Sequence, residues 1–194
     1  MNALEGLYSD ELVDTRNLES EEGIIRKYYK RARQRIGDYF SKKMGRMPYF
    51  GDLKIGLAKL PTYFSLVKEW GKLKMKPVGK VFGMYSPESN TVLVDPVVFK
   101  ELADPERRWL RKYMDMPSGE NVIGHEMLHC DQENTGILER LYRRYGEDAR
   151  GYIEGAVSYV ADSVFGESGC YTRLKEGFSR LVDRIGLKRA YQTA

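Results

Sequence analysis

Residues 121–133 read NVIGHEMLHCDQE and hold both histidines of the 194-residue chain, His125 and His129. The stretch follows Ser118, a residue type that caps helices by accepting a backbone N–H with its side chain. In a helix a step of four residues turns about 400°, so the two imidazoles stand about 40° apart, one turn along the axis. Both can reach one ion. Glu126 lies about 60° from His129 and flanks that ion rather than binding it. Ile123, Met127 and Cys130 fall on the other side of the wheel and are expected to face the core. One helix is thus divided between packing and chemistry.

Such a donor pair suits zinc, which takes nitrogen and oxygen ligands and in catalytic sites keeps a fourth position for water. The metal lowers the pKa of that water to about 7, and a neighbouring carboxylate takes the proton. His125 and His129 are read as ligands and Glu126 as the base. A surface helix carrying two incidental histidines is the alternative.

Outward from this helix the pattern is mixed. SEEGIIRKYYKRARQRIGDYFSKK, residues 20–43, reads as a long amphipathic helix whose stripe is Ile25, Tyr29, Ala32, Ile36 and Phe40. DLKIGLAKL (52–60) reads as a strand, Pro61 to about Trp70 as a short helix, and KMKPVGK (74–80) as a loop. KVFGMYS and TVLVDP are β-rich runs separated by the turn cluster PESN, a hairpin signal. VVFKEL after Pro96 and DPERRWLRKYM read as two short helices. After Gly136 helices are expected over roughly 137–145, 149–165 and 172–185. The fold class is α+β with a small, mostly antiparallel sheet. Residues 1–19 form an acidic extension and 20–194 a single domain.

The motif and this order of elements resemble the zincins, zinc metallopeptidases with an H-E-x-x-H helix. In that group a helix packs behind a small sheet, and an antiparallel edge strand above the cleft precedes the active-site helix. Residues 20–46, 52–60, 80–94 and 118–132 repeat that order, and the resemblance covers roughly 20–168. By size the chain is most similar to the minimal archaeal gluzincins, the minigluzincins. The resemblance implies a metallopeptidase that hydrolyses peptide bonds with one zinc per chain.

A third ligand is required, and no third histidine exists, which excludes the metzincin extension. Glu133 lies too far up the axis of the same helix, and Glu139 and Glu147 are expected to face solvent. Glu154 is better placed, in a helix whose same-face residues Gly151, Ser158 and Ala161 are all small and allow close approach. The resemblance agrees, since gluzincins take their third ligand from a glutamate on a later helix. It departs at Ser158, where the better-known motif has an aspartate; Asp162 is a further turn away and at most supports the ligands. A buried glutamate satisfied by an arginine is the alternative reading of Glu154. For stabilising the oxyanion, Tyr152 and Tyr159 are poorly oriented, and Tyr145, Tyr171 and Arg173 remain open.

If TVLVD is an exposed edge, a peptide or unfolded-protein substrate can add to it as an extended strand. Cys130 is read as a buried small residue, and Cys170 has no assigned role. Two cysteines make no disulfide framework, and no apolar run reaches the roughly 20 residues of a membrane span. The N-terminus lacks a signal-peptide pattern, so a cytoplasmic location is expected. The net charge of +4 is unevenly spread: residues 1–22 are acidic, and 24–46 carry nine Lys and Arg against Asp38. The acidic leader, residues 1–19, is read either as an inhibitory segment lying across the cleft of a latent form or as a disordered or surface-packed terminus. The basic helix supports a rival function, a nucleic-acid- or partner-binding protein with a structural or vestigial zinc site. No nucleic-acid motif accompanies the charge, and a solvated helix face is the plainer expectation.

Overall fold

The computed structural model describes residues 21–58 and 82–192. The acidic leader, the helix expected at 61–70 and the loop at 74–80 lie outside them. Helix α1 (Glu21–Met44) is followed by β1 (Lys54–Leu57), β2 (Gly83–Ser86) and β3 (Thr91–Val94). Then come α2 (Pro96–Ala103), a 3-10 turn at Pro105–Arg108, α3 (Trp109–Met114) and α4 (Gly119–Asn134). Helices α5 (Ile137–Tyr145), α6 (Ala149–Phe165), α7 (Thr172–Ile185) and α8 (Leu187–Gln192) complete the chain. The architecture is helix-rich α+β. No helix among the described residues is long and apolar enough to cross a membrane.

The expected stripe of α1 is its buried face: Ile25, Ala32, Ile36 and Phe40 are buried, joined by Ile24 and Met44. This face lies against β1, α2 and α4. Of the basic residues of this region, Arg31 and Arg35 both pair with Glu120 on α4, and Arg46 pairs with Asp131. Part of the positive charge is therefore paired with carboxylates of the fold, at the surface for Arg31 and Arg35 and against a buried partner for Arg46.

The sheet corrects two expectations. Its order is β1-β3-β2, with β1 parallel and β2 antiparallel to β3, so it is mixed rather than mostly antiparallel. TVLV is the central strand and not an edge. The reason lies in its side chains: Val92 and Val94 are fully buried, and the apolar run is held by partners on both sides. The edge beside α4 is β2. Asp95 N donates to Phe82 O at 2.9 Å, so 82 and 95 form a hydrogen-bonded pair. Antiparallel alternation then turns the backbone groups of Gly83 and Tyr85 outward, away from β3.

The hairpin closes through residues 87–90, with Asn90 in the left-handed region (φ 46°), where asparagine is tolerated. Helix α2 starts as Pro96 predicts, capped by Asp95, whose carboxylate accepts Val97 N at 2.7 Å.

Helix α7 packs on α6 through a glycine contact. A Cβ on Gly155 would stand 2.6 Å from the carbonyl oxygen of Leu174, so backbone approaches backbone there. Gly151 also faces Leu174. It therefore lies on the α7 side rather than at the metal-helix approach expected of it, and a Cβ there would make only an ordinary 3.6 Å contact. Gly155→Val should destabilise the protein by about 1–3 kcal/mol, because the obstacle is main chain and cannot swing aside. Urea unfolding of the variant at parental stability would contradict this contact.

Candidate metal centre

Helix α4 is fixed at both ends. Ser118 Oγ accepts Asn121 N at 3.1 Å, and buried Glu101, paired with Arg111, accepts Gly119 N at 3.0 Å. At the other end Asp131, fully buried, accepts Arg46 at 2.6 and 2.9 Å and Tyr49 N at 2.7 Å. Ile123, Met127, Leu128 and Cys130 are fully buried, so the core face is the one expected. Cys130 Sγ is held against Phe50 O and Asn90 Oδ1 at 3.5 and 3.4 Å, away from the histidines. Burial pushes its thiol up to about 11, which keeps it a neutral packing group.

The opposite face of α4 looks into a cleft of about 300 Å³. There His125 Nε2 and His129 Nε2 are 3.1 Å apart. Glu154 Oε2 lies 3.3 Å from the first and 3.6 Å from the second. Asn121, near the start of α4, bonds Asp162 and Gly166 O, at and beyond the end of α6. The two helices are therefore antiparallel, which brings Glu154 level with the histidines. Glu133, Glu139 and Glu147 are exposed and take no part.

These three atoms fit a metal. Tetrahedral bonds of 2.0–2.2 Å separate ligand atoms by about 3.3–3.6 Å, and two of the three observed distances fall at the ends of that range, with the His–His pair slightly inside it at 3.1 Å. Glu154 Oε2 is buried and has no hydrogen-bond partner, so a polar atom is left for something to satisfy. Two imidazole nitrogens and a carboxylate suit zinc.

The protonation pattern follows from the crowding. Burial works to raise the Glu154 carboxyl, but His129 and His125 overcome it and hold it well below the usual carboxylate range. Burial opposes charge on His129, yet Glu154 and Glu126 hold its pKa above the ordinary value. Glu126 is raised, chiefly by burial; the histidines and the Tyr85 backbone N–H work against that, and Glu154 adds to it. Glu126 lies beside β2 because residue 83 is glycine: a Cβ there would stand 2.8 Å from Val122 Cγ1 and 3.0 Å from Glu126 Cγ.

Of the groups considered for the oxyanion, Tyr171 is in the cleft. Its ring stacks on His125 with centroids 5.8 Å apart and planes 14° apart. Burial, then the Glu154 and Glu126 carboxylates, push its phenol upward, so it stays a donor. Tyr145 and Arg173 are exposed and do not line the cleft. Tyr152 donates to Ala190 O and Tyr159 packs on Phe178, both turned away as expected. Sequence reasoning missed Leu138, Tyr142, Arg150 and Ile153, which line the cleft beside Glu154. Arg150, four residues before Glu154 on the same helix face, was detectable by spacing. Cys170 lines the cleft too. Asp162 touches neither histidine and bonds Asn121, Ser168 and Lys175 instead.

Compared with known proteins, the chain matches no family model, no curated protein and no solved structure.

Without metal, His129 contributes stability that is full below about pH 6.5 and is lost as the pH rises through its raised value. Glu126, also raised, has the same sign. Glu154, lowered, contributes above about pH 4.3 and loses that only in strong acid. The metal-free protein should therefore melt lower as the pH climbs above about 6.5, whereas zinc, which competes with the protons, should reverse that slope. Thermal unfolding across pH, with and without zinc, checks this; identical slopes would count against the site.

Proposed function

We propose that the protein is a zinc-dependent metallopeptidase of the gluzincin type, similar in plan to the minigluzincins. The observation that carries this reading is the triangle of His125 Nε2, His129 Nε2 and Glu154 Oε2, with Glu126 beside it and unligated. These three residues would hold one zinc. Bound there, zinc would supply a Lewis acid for a peptide carbonyl and acidify water.

The chain's own groups fill the remaining roles. Glu126, its carboxyl raised by burial, accepts a proton from water and returns it to the departing amine. Tyr171 donates a hydrogen bond to the carbonyl oxygen as charge develops on it. The outward backbone groups of Gly83 and the outward carbonyl of Tyr85, whose N–H is held by Glu126, offer an extended peptide a strand to pair with beside the three candidate ligands. This replaces TVLVD as the strand that receives substrate. Leu138, Tyr142 and Ile153 give the cleft apolar walls for substrate side chains.

The test is cleavage of an unfolded polypeptide by the zinc-loaded chain. Glu126→Gln should retain zinc and lose hydrolysis by about 10²–10⁴-fold, since an amide cannot take the proton. Tyr171→Phe should lower kcat by about 10²-fold with little change in KM. A Glu126→Gln variant as active as the parent would remove Glu126 from its role, and a zinc-loaded parent that cleaves nothing would defeat the reading.

A further inference from the structure

We infer that Asp162 is the positioning residue that holds Tyr171 over His125. The inference rests on the role given to Tyr171 above, although the placement itself can be tested without hydrolysis.

Tyr171 occupies an unfavourable backbone position. Its φ is 52°, the left-handed region, where a bulky aromatic residue is an outlier. Such a conformation persists only when its surroundings over-determine it. The chain reaches it from α6 through two glycines of positive φ, Gly166 (97°) and Gly169 (71°). A turn built this way needs anchors to keep one shape.

Asp162 supplies them on both sides of Tyr171. Its Oδ1 accepts Ser168 N at 3.1 Å, three residues before the tyrosine. Its Oδ2 pairs with Lys175 Nζ, four residues after it, and Lys175 N donates to Tyr171 O at 2.9 Å. Oδ1 also accepts Asn121 Nδ2 at 3.0 Å, and the same amide donates to Gly166 O at 2.9 Å. Asn121 is one turn before His125 on α4. One carboxylate thus joins the ligand helix, the turn and the start of α7.

The Asp162 side chain is 10% exposed and Lys175 16%, so the pair is largely out of water. A buried charge is costly unless it is paired and its lone pairs are used. Here they are used on groups that flank Tyr171. Asp162 is also two turns beyond Glu154, too far along the helix to share the metal.

The experiment uses the full chain loaded with zinc. Because the protein has two histidines, its imidazole NMR spectrum contains two sets of ring signals. Tyr171→Ala identifies the set belonging to His125, which loses the ring-current shift of the stacked tyrosine. Asp162→Ala should move the His125 signals to the positions seen in Tyr171→Ala and leave those of His129 in place. Its kcat should fall by about 10²-fold with KM little changed. Combined with Tyr171→Phe, it should add almost nothing to the loss from Tyr171→Phe alone. Lys175→Met, at the less buried partner, should show the same changes in smaller degree and serves if Asp162→Ala does not fold. His125 signals that stay at their parental positions in Asp162→Ala, or in Lys175→Met, would overturn the inference. So would rate losses that multiply in the double variant. A parent that hydrolyses nothing would defeat the peptidase reading while the NMR comparison still decides whether Asp162 places Tyr171.

Discussion

The constraint on which the rest depends is the convergence of three candidate ligand atoms from two antiparallel helices. His125 and His129 come from α4 by simple helical spacing, but Glu154 comes from α6 and must arrive within about half an ångström to share an ion. The observed separations of 3.1, 3.3 and 3.6 Å require the α4–α6 packing to be fixed in both tilt and register. The same convergence leaves Glu154 Oε2 buried without a hydrogen-bond partner. A shared cation would relieve that arrangement, as would a proton on one of the imidazoles.

Much of the remaining structure reads as support for this contact. Ser118 and Glu101 fix the start of α4, and Asp131 ties its end to Arg46 and Tyr49. Helix α1 backs α4, while Glu120 draws Arg31 and Arg35 onto it. On the other flank α7 lies close enough to α6 for Leu174 O to occupy the space of a Gly155 side chain. Packing on both sides holds His125, His129 and Glu154 in register, as a tight metal site would require.

The sequence was most informative where local periodicity carries the signal. The histidine helix, its buried face and the three helices after Gly136 lie where spacing, caps and breakers put them. Glu154 followed from eliminating exposed carboxylates, and the structure brings it to the histidines. Strand order was not legible, because β1 and β3 pair in parallel across a long intervening segment and no local rule reports that. TVLV looked like an edge when judged as half of a hairpin alone. The cleft walls were missed for a related reason: Leu138 and Tyr142 lie on α5, whose orientation depends on tertiary packing. The surroundings of Asp162 were also invisible, since its partners lie on α4, the 166–171 turn and α7.

We propose that His125, His129 and Glu154 together hold one zinc and leave a position open. X-ray absorption at the zinc edge of the loaded protein tests this most directly. About one zinc per chain is expected, in a four-coordinate shell of two imidazole nitrogens and oxygens, all at about 2.0–2.2 Å, with no sulfur. In Glu154→Ala the zinc should bind far more weakly. A sulfur shell at about 2.3 Å, which would bring Cys170 or Cys130 into the site, would contradict the account. So would a Glu154→Ala variant whose zinc affinity and coordination match those of the parent.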